Sequence, residues 1–128
     1  MMEKNAKIYV AGHRGMVGSA IVRELQRQGY TNIITRTHKE LDLTRQDAVE
    51  EFFAQEKPEY VFLAAAKVGG IVANQEALAD FMYDNMTLEM NVIHSAWRRL
   101  QEAGVPRFLL HLPPHGTAAH EGGLPADQ

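Results

Sequence analysis

Ala6-Lys7-Ile8-Tyr9-Val10-Ala11-Gly12-His13-Arg14-Gly15-Met16-Val17-Gly18 is the stretch that decides the fold. An apolar, β-prone run leads into three glycines spaced three apart, and an apolar pattern of helical period follows. A strand, a tight turn and a helix in that order form the unit that receives the pyrophosphate of a dinucleotide. Gly12 permits a turn where a Cβ would clash, and Gly15 lets backbone N–H groups approach phosphate oxygens. Gly18 lets the helix close on the strand, and the unpaired N–H groups at the helix start carry partial positive charge. The competing explanation is a tight strand–helix turn in an unrelated α/β protein.

Outward from that stretch, residues 6–11 read as a strand and 15–28 as a helix. Val17, Ile21 and Leu25 form the helix's inner stripe, and Gly29 ends it. Asn32–Arg36 reads as a second strand, and a short third is expected around Glu40–Leu43. Thr44 and Asp47 have the spacing of a capping pair for a helix over 45–55, which would bury Val49, Phe52 and Phe53. After Pro58, Tyr60–Ala64 is wholly apolar, as strands of parallel sheets are. The loop Lys67–Ala73 precedes a helix over 75–103. Leu78, Phe81, Met82, Met86, Met90, Ile93, Trp97 and Leu100 recur on it at three- and four-residue steps and are expected in the core. Gly104 and Pro106 end this helix, and Arg107–Leu110 begins a further strand. The alternation predicts an α/β fold: a doubly wound parallel sheet of Rossmann type, truncated after about five strands.

Charge at the end of the second strand bears on the cofactor. An NAD site places Asp or Glu about 20 residues past the glycine turn, to accept hydrogen bonds from the ribose. No acid occurs from Thr31 through Lys39; Arg36, His38 and Lys39 stand there instead, and Arg14 projects from the glycine turn. Cationic groups suit a 2′-phosphate, so NADP(H) is expected rather than NAD. The competing explanation is a solvated loop. Asp42 and Leu43 are candidates for the adenine, although Asp42 could equally cap a local turn. Ala64, Ala65 and Ala66 are small enough for backbone to pass a ribose, or simply for helix to pack on sheet. Asn91 is expected to bond to backbone across the sheet, in a structural role.

A net charge of −3 offers no basic surface for nucleic acid or an anionic membrane, and the apolar runs are too short to span a bilayer. Absence of cysteine excludes disulfides and thiolate ligands. Without a signal peptide pattern, a cytoplasmic location is expected. Residues 1–110 thus read as a dinucleotide-binding domain. Residues 111–128 hold three of the five prolines and three of the six histidines, with no Lys or Arg and no period. They read as a disordered tail. The irregular spacing of His111, His115 and His120 argues against a metal site.

Gly12–Ile21, Leu63–Asn74, Ala79–Tyr83, Asn85-Met86 and Asn91–His94 together resemble the GDP-L-fucose synthase family, a branch of the extended short-chain dehydrogenases/reductases. The resemblance covers residues 6–110 and implies NADP(H) as cofactor, a GDP-sugar substrate and a homodimer. Family members epimerise GDP-4-keto-6-deoxymannose at two carbons and then reduce it to GDP-L-fucose. It further implies that Gly12, His13, Arg14, Gly15, Met16, Val17 and Gly18 hold the pyrophosphate, with Arg14 facing the 2′-phosphate. Residues 38–43 would hold the adenosine end, and Lys67–Gly70 would lie near the nicotinamide and sugar. The family's second phosphate-binding arginine aligns with His38, leaving Arg36 or Lys39 to stand in.

After Leu110 the family continues Leu-Gly-Ser-Ser-Cys-Ile-Tyr-Pro, whereas this chain reads His111-Leu112-Pro113-Pro114-His115. None of its four tyrosines precedes a lysine by four positions. No catalytic residue is therefore assigned in this chain, and an out-of-frame tail from 111 is expected. A non-catalytic dinucleotide-binding module or redox-sensing regulator is the alternative.

Overall fold

Alternating side chains of the first strand point to opposite faces, and all of them are apolar, so both faces must be covered. The computed structural model, which describes residues 2–65, 75–103 and 108–111, meets that requirement with helices on each side. Strand β1 (Ile8–Ala11) leads into helix α1 (Met16–Arg27) and strand β2 (Ile33–Ile34). Helix α2 (Gln46–Glu56), strand β3 (Tyr60–Leu63), helix α3 (Gln75–Ala103) and strand β4 (Phe108–His111) follow.

The strands lie in the order β2-β1-β3-β4, all parallel. Ile8 pairs with Ile33 on one side and with Tyr60 on the other, and Ala11 pairs with Leu63. The side on which successive strands are added therefore switches between β1 and β3, the switch point at which open α/β sheets leave a crevice beyond their carboxyl ends. Ile8 and Val10 pack with Leu25 and Tyr30 on the α1 face. Tyr9 and Ala11 face the other way, against Val49, Phe52 and Phe53 of α2 and Leu88, Val92 and Ala96 of α3. The expected Rossmann-type fold and the core role of Val49, Phe52 and Phe53 hold.

Several local expectations do not. The expected strand around Glu40–Leu43 is a turn, because Thr37 and Glu40 close a reciprocal pair. Thr37 N donates to Glu40 Oε1 at 2.7 Å and Glu40 N donates to Thr37 Oγ1 at 3.2 Å, while Leu41 N reaches Thr37 O at 2.9 Å. With the Glu40 and Leu41 N–H groups spent locally, the start of the segment cannot donate to a sheet ladder. The described sheet accordingly has four strands. Thr44 does not cap α2: its Oγ1 donates to Asp42 Oδ1 at 2.7 Å, and the helix starts from Arg45 without a side-chain cap. Val17 is exposed, so the inner side of α1 is carried by Leu25, with Ile21 and Val22 partly buried.

The methionine stripe of α3 is the largest correction. Met82, Met86, Met90 and Trp97 are 55–64% exposed, and Leu88, Val92, Ser95 and Ala96 face the core instead. Both faces repeat at helical spacing, but only the second carries small residues where α3 crosses α2 and the sheet. Close packing favours that face. Leu78, Phe81 and Leu100 have side chains outside the described residues, as do the loop Lys67–Ala73, Gly104, Pro106 and the segment from 112 onward. No described helix is long and apolar enough to cross a membrane.

Candidate functional site: a cleft at the switch point

The glycine turn sits where β1 ends and its three glycines are there for different reasons. Gly12 adopts φ +86°, and a Cβ on it would stand 2.6 Å from the backbone of Ala65. A Cβ on Gly18 would stand 1.9 Å from Gly12 O. The protein's own packing thus demands glycine at both positions. Around Gly15 the nearest atom to a Cβ would be Gly12 O at 3.5 Å, an ordinary contact. Among the described residues nothing requires glycine there, and none of them fills the space over the turn.

Gly15 is also the residue from which α1 starts. Its N–H is spent on Gly12 O at 3.1 Å, but the first turn of α1 has no side-chain cap and no acidic residue. The backbone N–H groups of that turn are left for an outside acceptor, at the positive end of the helix dipole.

A cleft of about 390 Å³ opens beside this turn. Of the expected site residues, Gly12, His13, Arg14, Gly15, Arg36, His38, Asp42, Leu43, Ala64 and Ala65 line it. Met16, Val17, Gly18 and Lys39 do not; Met16 and Val17 point to solvent, and Gly18 is consumed in packing. Leu41, within the expected 38–43 segment, lines the cleft as well; Thr37, Thr44 and Leu88 also line it and were not expected there. The Thr-x-x-Glu spacing at 37–40 was the one available signal for Thr37. Leu88 arrives from α3, a placement no local pattern announces. Lys67–Gly70 lie outside the described residues.

The floor of the cleft is held by hydrogen bonds to backbone. Ala64 N donates to Ala11 O at 2.9 Å, which fixes the small residues after β3 against the glycine turn. Asn91 Nδ2 donates to Leu43 O at 2.9 Å, a structural backbone bond as expected but to the turn before α2 on its own face rather than across the sheet, and ties α3 to the cleft rim. Asp42 caps its own turn, accepting from Thr44 N at 3.0 Å as well as from the Thr44 hydroxyl.

The rim carries Arg14 and Arg36, with carboxylates beside them. Arg36 crosses the Phe52 ring at 5.2 Å and bonds Glu56 Oε2 at 3.2 Å, while Lys7 Nζ approaches the same carboxylate at 3.3 Å. Glu40, the first acid after the cation-bearing segment, is held below the usual carboxylate range. The Thr37 N–H at its carboxylate is the main cause, and Arg36 and Arg14 add to it.

The chain matches the model of the NAD dependent epimerase/dehydratase family over residues 8–111. It is 62% identical over 109 residues to GDP-L-fucose synthase 1 of Arabidopsis thaliana, covering 85% of this chain and 32% of that protein. The GDP-L-fucose synthase of Escherichia coli K12 is 54% identical over 90 residues, 70% of this chain and 28% of the relative. Among solved structures, a GDP-mannoheptose C4 reductase from Campylobacter jejuni with NADP bound superposes with a TM-score of 0.72 at 47% identity. That match covers 77% of this chain and 31% of the reductase. The chain spans about a third of the length of the curated relatives it matches. With the glycine turn, the parallel switch point and the matched residues in agreement, the chain belongs to the NAD dependent epimerase/dehydratase family.

Proposed function

We propose that residues 1–110 form the NADP(H)-binding part of a GDP-L-fucose synthase. The observation that carries this reading is Gly15, whose missing side chain no packing among the described residues demands and which stands at the uncapped start of α1, where an anion would be received. The residues present fit the cofactor. Backbone N–H groups of the first turn of α1 would receive the pyrophosphate. Ala64 and Ala65 would let backbone lie close to a ribose, and Arg14 would meet a 2′-phosphate. Leu41 and Leu43 supply apolar surface for the adenine.

When bound, NADPH supplies the hydride that reduces a 4-keto sugar. This chain's residues bind and orient the dinucleotide, and none of them is assigned a catalytic role. The identity to GDP-L-fucose synthases supports GDP-4-keto-6-deoxymannose as the substrate of the whole enzyme. The same reading pairs the protein with a second copy and places it in the cytoplasm.

Thermal unfolding with increasing NADPH tests the cofactor assignment. A ligand that binds only the folded state at 100 times its Kd adds about 2.7 kcal/mol, and the melting temperature rises with concentration. A cooperative melt that does not move in millimolar NADPH overturns the proposal.

A further inference from the structure

The segment that leads into α2 is held from within and from outside. Within it, Asp42 Oδ1 accepts from Thr44 N at 3.0 Å and from the Thr44 hydroxyl at 2.7 Å, and Arg45 N donates to Asp42 O at 3.0 Å. From outside, Asn91 Nδ2 of α3 donates to Leu43 O at 2.9 Å, between residues 48 positions apart. A carbonyl can only accept, so the nitrogen of the amide must face it. Leu43 lines the cleft, and so does Leu88, three residues before Asn91 on α3. Residues three apart on a helix are surface neighbours, separated by about 4.5 Å of axial rise. One amide therefore joins two apolar surfaces of the cleft: Leu43 by a hydrogen bond, and Leu88 through a single helical turn.

We propose that Asn91 is a positioning residue for the dinucleotide, fixing Leu43 to α3 and so setting the spacing between Leu43 and Leu88 that the adenine meets. The proposal rests on the dinucleotide-binding reading above. Asn91 does not line the cleft itself; it lies in the groove between α2 and α3 and acts through Leu43. Packing alone does not fix that spacing. Val92 and Ala96 pack α3 into the core cluster with Val49 and Phe53, whereas Leu43 is only partly buried against it. Apolar contact is non-directional and tolerates sliding, while a hydrogen bond specifies a length and an angle.

Calorimetric titration of the 128-residue chain with NADPH, well below the melting temperature of each variant, tests this role. Asn91→Ala is expected to raise the Kd about fivefold, as partial loss of apolar contact with a ring would. Val92→Ala, its neighbour on α3, empties core volume and leaves the bond in place. It is expected to lower the melting temperature while its Kd stays within about twofold of the wild type. An Asn91 that served stability alone would behave in the same way. Leu43→Ala removes the surface that the bond positions, so adding Asn91→Ala to it should raise the Kd by less than about twofold more.

An Asn91→Ala chain that binds NADPH as the wild type does overturns the role, as do effects that multiply in the double variant. If Asn91→Ala does not melt cooperatively, Asn91→Ser takes its place in every comparison, since the helix's own carbonyls can satisfy a hydroxyl. A wild-type chain that binds no NADPH overturns the dinucleotide reading itself. Measurable wild-type affinity that is indifferent to Asn91 overturns the positioning role alone.

Discussion

Alanine at Gly18 and alanine at Gly15 should have opposite consequences, although the two glycines belong to one motif. A Cβ on Gly18 would stand 1.9 Å from Gly12 O, 2.6 Å from Gly12 C and 3.1 Å from His13 Cα. All three are backbone atoms of the turn, so no side chain can swing aside. Restoring an ordinary contact moves the start of α1 away from β1 by about 1.5 Å, in an interior that transmits such shifts. Overpacking of this kind costs on the order of 3 kcal/mol. That is a large share of the roughly 5–15 kcal/mol that holds a domain folded. At Gly15 the nearest atom to a Cβ would be 3.5 Å away and the backbone is extended, at φ −76° and ψ 172°. The gain from a stiffer unfolded chain and the loss of a good N-cap residue there are each below about 1 kcal/mol and opposite in sign. Urea unfolding followed by circular dichroism should show Gly18→Ala far less stable and Gly15→Ala within about 1 kcal/mol of the wild type. The methyl at Gly15 nevertheless stands where phosphate oxygens would approach, so Gly15→Ala should weaken NADPH binding at least tenfold while the fold persists. Equal stability losses in the two variants would refute the reasoning, as would a Gly15→Ala chain that binds NADPH at wild-type affinity.

Two further perturbations follow from the same structure. Met86→Ser, on the exposed stripe of α3, should change unfolding free energy by less than about 0.5 kcal/mol, whereas Val92→Ala in the core should cost about 2 kcal/mol; denaturant midpoints of the two variants check this. Acid should also destabilise the protein in a defined window. The Arg27 and Gln28 side chains bonded to Glu24 hold its carboxyl down at about 2, against an ordinary 4.5. A depressed carboxyl contributes stability that is present above its unfolded value and lost as pH falls through the folded one. The contribution of Glu24 therefore disappears between about pH 4.5 and 2, and Glu24→Gln should flatten the melting-temperature profile in that interval.

The glycine run, the apolar strands and the bounds of α3 could all be read from the chain because each depends on neighbours within a few residues. The expectation of a helix over 75–103 matches α3. Ten of the fourteen expected binding residues line the cleft, because the turns after β1, β2 and β3 carry them there together. The misses share a cause. At 37–44 the local hydrogen bonds of Thr37 with Glu40 and of Asp42 with Thr44 compete with strand and helix-cap assignments that the composition also allows. On α3, two faces share one period.

Local chemistry in the sequence determined the strand–turn–helix, the cationic segment after β2 and the apolar face of α2. Each of these is set by backbone sterics or periodicity, which neighbours in the chain decide. Tertiary structure alone decided which side of α3 is buried, since that depends on what α2 and the sheet can fit against. It also decided that Gly12 and Gly18 serve packing while Gly15 leaves space, because the clashing atoms belong to Ala65 and to Gly12 itself. Commitment of Arg36 to Glu56, twenty residues away, was likewise invisible in the chain. An ion pair between separate elements exists only once the fold has brought its partners within reach.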